Sequence, residues 1–162
     1  MTKISDHVSW AEATKSQTAI RYGIDNTPDA TAIEKMRLVA NLIFDRVRDH
    51  FNKPIGVASF YRCLKLNTAI GGAQGSQHMS GEAMDIDADI FDNGITNKQI
   101  FNYIRSHLDF DQLIGEVEKD NGDFEWIHAS YKSTADNRNN ALIAYRDNGK
   151  MKYKKYINET NI

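Results

Sequence analysis

The chain has 162 residues, 41% of them hydrophobic and 26% charged, enough for one soluble domain with its own core. Twenty basic and 22 acidic residues leave a net charge of −2, which argues against a nucleic-acid binder, and no apolar run reaches the roughly 20 residues of a membrane span. Cys63 is the only cysteine, so no intramolecular disulfide forms and the redox compartment stays open. The polar start from Met1 to Trp10 shows no secretory signal. Residues 1–30 read as an N-terminal arm with short helical pieces, among them a turn capped by Ser9 with Trp10 packing inward. Gly23 to Pro28 is turn chemistry. Thr31 to Phe51 is the clearest helix: Ile33, Met36, Val39, Leu42, Ile43 and Val47 recur at helical spacing, and Pro54 and Gly56 end it. His50, near its C-terminal end, suits the helix dipole and reads as structural.

Ile55 to Phe60 follows as a short buried strand and Arg62 to Ile70 as a helix closed by Gly71-Gly72. The glycines at 72, 75 and 81 speak for a loop, after which Ala83 to Ile90 reads as a strand. Its Met84, Ile86, Ala88 and Ile90 take one side, and Asp85, Asp87 and Asp89 the other. Three alternating aspartates invite a calcium-loop reading, but such a loop needs glycine at its sixth position, where Ile90 stands. Thr96 to Leu108 is a helix capped by Thr96, with His107 at its surface. Phe110 to Val117 and Phe124 to Tyr131 are strands joined through the Asn121-Gly122 turn, and Ala141 to Ile157 is a second hairpin turning at Asn148-Gly149. The lysines of this last hairpin guard a sheet edge.

Two stretches carry chemistry. Ser76-Gln77-His78-Met79-Ser80-Gly81-Glu82-Ala83-Met84-Asp85 sets a histidine and an aspartate seven positions apart, on a loop and on the strand after it. Glu125-Trp126-Ile127-His128 adds a second imidazole and a spare carboxylate. Each residue alone has a plain reading: a hydrogen-bonded histidine, a solvent-facing aspartate, a surface glutamate. Together they are the inventory of a catalytic zinc site, with three protein ligands, an open fourth position and a glutamate to take a proton from water. In a regular strand, positions three apart point to opposite faces, so Glu125 and His128 share one site only if the strand bulges or begins near Trp126. Such an irregularity is expected.

The same residues resemble a known family. Ser76-x-His78-x-x-Gly81-x-Ala83-x-Asp85 resembles the S-x-H-x-x-G-x-A-x-D signature of the zinc D-Ala-D-Ala metallopeptidases. Glu125-Trp126-Ile127-His128 resembles that family's second motif, and Ser59-Phe60-Tyr61-Arg62 its serine-x-tyrosine-arginine segment. The family holds D-Ala-D-Ala carboxypeptidases and dipeptidases, L-Ala-D-Glu endopeptidases of phage lysins, and the zinc domain of Hedgehog proteins. The resemblance implies an α+β fold, a mostly antiparallel sheet with helices on one face and Zn²⁺ on the other. It implies one domain over 1–162: arm 1–30, catalytic core 31–131, loop and C-terminal hairpin 132–162.

By the same resemblance His78, Asp85 and His128 are the metal ligands, Glu125 is the general base, and Arg62 stabilises the oxyanion or anchors substrate. Ser76, Tyr61 and Trp126 stand beside them as substrate-binding or supporting residues. The implied partner is the peptide stem of peptidoglycan, hydrolysed as a carboxypeptidase does, and the chain is expected to be a monomer. The alternatives are an L-Ala-D-Glu endopeptidase of a phage or prophage lysin, synthesised without a leader and released at lysis, and a non-catalytic zinc module. A zinc phosphodiesterase is disfavoured by the lack of a basic cluster. Arg138 bears on the choice of bond: folded towards the zinc it would clamp a terminal carboxylate, and pointed away it would leave the cleft open.

Overall fold

In a computed structural model, which describes residues 1–158, the chain forms a six-stranded sheet backed by helices. The last four residues of the expected C-terminal segment lie outside the described residues. The strands are β1 (Gly56–Ser59), β2 (Ala83–Asp87), β3 (Gln112–Glu118), β4 (Phe124–Ser130), β5 (Asn140–Asp147) and β6 (Lys150–Lys155), in the order β1-β2-β4-β3-β5-β6. All neighbours are antiparallel except β3 and β5. This is the expected α+β class.

The arm contains two short helices, α1 (Trp10–Thr14) and α2 (Gln17–Tyr22). Ser9 and Glu12 close a capping box on α1, and Gly23 ends α2 in the left-handed conformation at φ 61°. The long expected helix is present from α3 (Ala30–Val39) to α4 (Asp45–Phe51), joined by a π-helical turn at Ala40–Phe44. Asp29, whose side chain accepts the Ala32 N–H, starts it one residue earlier than the apolar pattern implied. Next come α5 (Leu64–Ala69), capped by Cys63 rather than beginning at Arg62, and α6 (Asn97–His107), with Thr96 and Gln99 in a capping box. His50 stacks on Tyr103 at 4.0 Å between ring centroids, the structural role read from its position.

The core lies between the sheet and the helices. Met36, Val39, Ile43 and Phe44 from the long helix and Ile100, Phe101 and Ile104 from α6 meet Val57, Met84, Ile86, Leu113, Ile127 and Ala129 from the strands. Burying each such side chain contributes about 1.5–3 kcal/mol. Gly115 leaves room for the Phe124 ring, which a Cβ there would meet at 2.6 Å, and Phe124 in turn packs on Phe101. With Met84, Ile86, Ile127 and Ala129 turned to the helices, strand alternation sends Asp85 and His128 to the opposite face.

One expectation is corrected and another is located. The strand drawn to Ile90 stops at Asp87, and Ala88–Ile90 forms a 3₁₀ turn. The Asp87 side chain accepts the Asp89 N–H, and the buried Asn97 holds both Asp87 and the Ala88 N–H, so Asp89 is not on the strand. The expected irregularity of β4 lies at Glu125: the ladder with β3 keeps its register but lacks the Val117–Glu125 pair, and Phe124 and Ile127, three apart, both face the core. A second irregularity falls in β1, where the register with β2 shifts between Val57 and Ser59. The C-terminal hairpin turns at Asn148 (φ 50°) and Gly149 (φ 77°), and Lys150, Lys152, Lys154 and Lys155 line its exposed edge strand.

The loop before β2 is seated on the long helix by Gly81, at φ 78°, where a Cβ would come within 2.5 Å of the Ala32 carbonyl oxygen. That oxygen belongs to a helix backbone that cannot easily give way. Gly81→Ala is expected to lower stability by about 2–4 kcal/mol through backbone strain and crowding together. Denaturant unfolding checks this, and a variant as stable as the parent would contradict it.

Candidate metal centre

The site is built on a cross-strand pair. Asp85 of β2 lies directly opposite His128 of β4, both on the sheet face away from the helices. On its other side Asp85 pairs with Ser59, just past the β1 irregularity. His78 arrives from the loop and is held at three points. Its Nδ1–H donates to the Phe60 carbonyl at 2.6 Å, and its own carbonyl accepts the N–H of Arg62 at 3.2 Å and of Gly81 at 3.4 Å. The imidazole is 2% exposed.

One ligand atom from each of His78, Asp85 and His128 lies within 4.8 Å of the other two. His128 Nδ1 stands 3.2 Å and His78 Nε2 3.3 Å from the same atom, Asp85 Oδ1. The Phe60 carbonyl can only accept, so it claims the single proton of a neutral His78 ring at Nδ1. His78 Nε2 is therefore a bare lone pair, buried, without a hydrogen bond and facing a carboxylate oxygen. Two imidazoles and a carboxylate turning lone pairs on a common point fit a divalent cation far better than they fit one another. Burial alone would raise the Asp85 carboxyl, but the positive character of the two imidazoles outweighs it and holds the group well below the usual carboxylate range.

Arg62 closes the far side of Asp85. Its Nη2 donates to Asp85 Oδ2 at 3.4 Å, Nε to Ser59 Oγ at 3.2 Å and Nη1 to Asn67 Oδ1 at 3.4 Å. The guanidinium is thus directed at the aspartate. Ser76 and His128 line one cleft, and half-buried Trp126 lies opposite Glu116 in the β3–β4 ladder. Tyr61 packs at the edge of the core, where burial and then the nearby Cys63 and Asp29 raise its hydroxyl pKa.

Glu125 is not brought to the three converging side chains. It is exposed and lines a separate cleft with Glu118, Lys119, Tyr145 and Arg146. The carboxylate that does approach is Glu116 of β3, which sequence reasoning missed. Burial raises its pKa, and the charges that bear on it are those of His128, Asp85 and Arg62. A signal for it was present. Folding the two strands about the Asn121-Gly122 turn sets Ile114 opposite His128 and Glu116 opposite Trp126, so alternation puts Glu116 on the metal face.

A buried His/Asp/His cluster with an adjacent raised-pKa glutamate is the equipment of a metal-dependent hydrolase. A family model described as Peptidase M15 matches residues 6–130, and the chain belongs to that family of metal-dependent peptidases. No curated protein matches the chain. Among the described residues no helix is long and apolar enough to cross a membrane.

If the three converging side chains are the ligands, the protein takes up about one zinc per chain at neutral pH. His128→Ala and Asp85→Asn should each lose most of it in metal analysis after dialysis, since a three-ligand site cut to two binds weakly. Equal zinc content in parent and variants would remove the cluster from consideration.

Proposed function

We propose that the protein is a zinc peptidase that hydrolyses the peptide stem of bacterial peptidoglycan, with His78, Asp85 and His128 as metal ligands and Glu116 as general base. The convergence of two imidazoles on the Asp85 carboxylate, with Glu116 on the neighbouring strand, carries this reading. Membership of the peptidase family supports the peptide substrate. Zinc, when bound, polarises the scissile carbonyl and lowers the pKa of water.

The chain's own residues do the rest. Glu116 takes a proton from the attacking water at its carboxylate and hands it to the leaving amine nitrogen as the C–N bond breaks. Its burial favours the protonated form, so the carboxyl can hold the proton between the two transfers. Arg62 fixes Asp85 through Nη2 and so sets the direction in which that carboxylate presents its other oxygen. The Phe60 carbonyl does the same for His78, committing Nδ1 and leaving Nε2 free. A non-catalytic zinc module would have no use for a desolvated glutamate beside its ligands, and this favours an enzyme.

Glu116→Gln is expected to retain zinc and fold while lowering kcat on stem pentapeptides by about 10²–10⁴-fold. Glu125→Gln is expected to stay within a few-fold of the parent. The reverse pattern would return the role to Glu125. Mass spectrometry of the digest identifies the bond: loss of one alanine denotes a carboxypeptidase, and release of whole stem peptides an endopeptidase. No hydrolysis of either kind by the zinc-loaded parent would refute the peptidase reading.

A further inference from the structure

The sheet face that carries the candidate metal ligands does not end at β3. β5 runs parallel to β3 with Ile143 beside Gly115, and β6 pairs Tyr153 with Ala144. Ala141 and Ile143 pack against the core, so alternation turns Leu142 and Ala144 to the metal face, and Tyr153 with them. One step along the β3–β5 register from Gly115 and Ile143, a row therefore crosses four strands: Trp126, Glu116, Ala144 and Tyr153. Neighbouring strands stand about 4.8 Å apart, so Tyr153 is rooted roughly 10 Å from Glu116 with a single methyl group between them. Ala144 is nevertheless completely buried, which requires larger neighbours to close over it. Burial and then the charge of Glu116 raise the Tyr153 hydroxyl pKa, in keeping with a phenol that leans over Ala144 towards the glutamate.

Tyr153 is still 55% exposed, and Met151, two residues before it on the same face, is 36% exposed. The other tyrosine of the hairpin is placed differently. Tyr145 faces the opposite side, where the Lys154 ammonium stands 5.1 Å from its ring centroid, whereas no cation covers the Tyr153 ring among the described residues. A tyrosine kept only for strand propensity would need no apolar company, yet Leu142, Met151 and Tyr153 form an apolar strip beside the candidate base. Neither 142–146 nor 151–155 contains an asparagine, glutamine, serine or threonine. The hydroxyls of a sugar call for such groups, whereas an apolar peptide side chain needs only the strip itself. Both hairpin strands lie outside the residues 6–130 matched by the family model, where specificity can differ while the chemistry is shared.

We propose that the C-terminal hairpin is the outer wall of the substrate site and that Tyr153 determines specificity, its ring lying against an apolar side chain of an extended peptide that runs from the metal across β3 and β5. This deepens the peptidase reading and rests on it for the substrate. An extended chain covers roughly 10 Å in about three residues, so the contact falls about three residues from the bond that is cut.

The test is steady-state kinetics of the zinc-loaded protein on a stem pentapeptide and on peptides shortened from either end with the cut bond kept. Tyr153→Ala should raise KM on the full stem by about 3–10-fold and change kcat much less, the size of one aromatic contact. On peptides that stop short of the hairpin, or that carry glycine at the contacting residue, the parent and Tyr153→Ala should have the same KM. Tyr153→Phe keeps the ring and should recover the parent KM. Tyr145→Ala, on the other face of the same hairpin, reports what loosening the hairpin alone does. Unfolding curves verify that the variants are folded, and Tyr153→Thr, which favours strands, repeats the test should the alanine variant unfold.

An unchanged KM in Tyr153→Ala overturns the proposal, and so does an equal rise in Tyr145→Ala. A Tyr153→Phe defect confined to kcat also overturns it, since the hydroxyl would then act on Glu116 instead of the ring on substrate. The same holds for a KM effect that appears only when the stem is attached to its sugar. Calorimetry with zinc-loaded Glu116→Gln, which binds the stem peptide without turnover, separates the two levels. Hydrolysis and binding that both ignore Tyr153 refute the hairpin wall and leave the peptidase. Binding that weakens on adding Tyr153→Ala, while the zinc-loaded parent cuts nothing, refutes the peptidase and leaves the wall.

Discussion

Everything at the metal face depends on one buried carboxylate. Asp85 sits in a mostly apolar strand whose neighbours Met84 and Ile86 are fully buried, a position that would normally disfavour an ionised group. Two imidazoles and a guanidinium surround it, and each comes from a different part of the chain. His128 comes from the next strand, His78 from the loop before β2, and Arg62 from the turn after β1. The elements that build the core therefore also assemble the site, since Asp85 fails to meet its partners unless β1, β2 and β4 are in register. Without a cation the arrangement is frustrated, because His78 Nε2 turns a lone pair on an oxygen. That frustration is the physical reason for expecting metal binding and folding to be linked.

Strand order explains where the rest of the chemistry falls. Because β4 lies between β2 and β3, His128 has Asp85 on one side and Ile114 on the other. The residue two further along β3, Glu116, then shares the face with the ligands. Placing β5 parallel to β3 moves the sheet edge out to β6, whose lysines keep that edge soluble, so the metal strands stay in the interior of the sheet. The helices take up the opposite face. The sheet is thus apolar on one side and chemically equipped on the other, the division that alternate side chains permit.

Much of this was legible in the sequence. The helices announced themselves through periodicity and caps at Ser9 and Thr96, the hairpin turns through Asn-Gly pairs, and the candidate ligands through the spacing of His78, Gly81, Asp85 and His128. Less legible was anything that depended on which strands lie side by side. Glu125 read as the base through the motif it shares with His128, yet its side chain lines another cleft. Glu116 is far from His128 along the chain and close to it across the ladder. Asp89 looked like a strand residue because alternation continued past Asp87, but a side chain–backbone bond at Asp87 and the buried Asn97 turned the chain there.

Two of the buried aspartates, Asp111 and Asp85, show how the same group is put to different uses. Asp111 is saturated: four donors from Gln77 and Arg138 meet its two oxygens, and no acceptor of comparable strength opposes it. Such a carboxylate is a fixed joint, and it fastens the residue beside His78 to the loop after β4. Asp85 is partnered mainly by two imidazoles, whose ring nitrogens are also metal donors. A carboxylate saturated by donors is a structural joint, whereas one that faces imidazole nitrogens is open to a cation. Since Gln77 belongs to the joint and His78 to the metal cluster, adjacent residues of one loop tie the two together. The position of the imidazole is therefore set in part by a carboxylate that never touches the metal site.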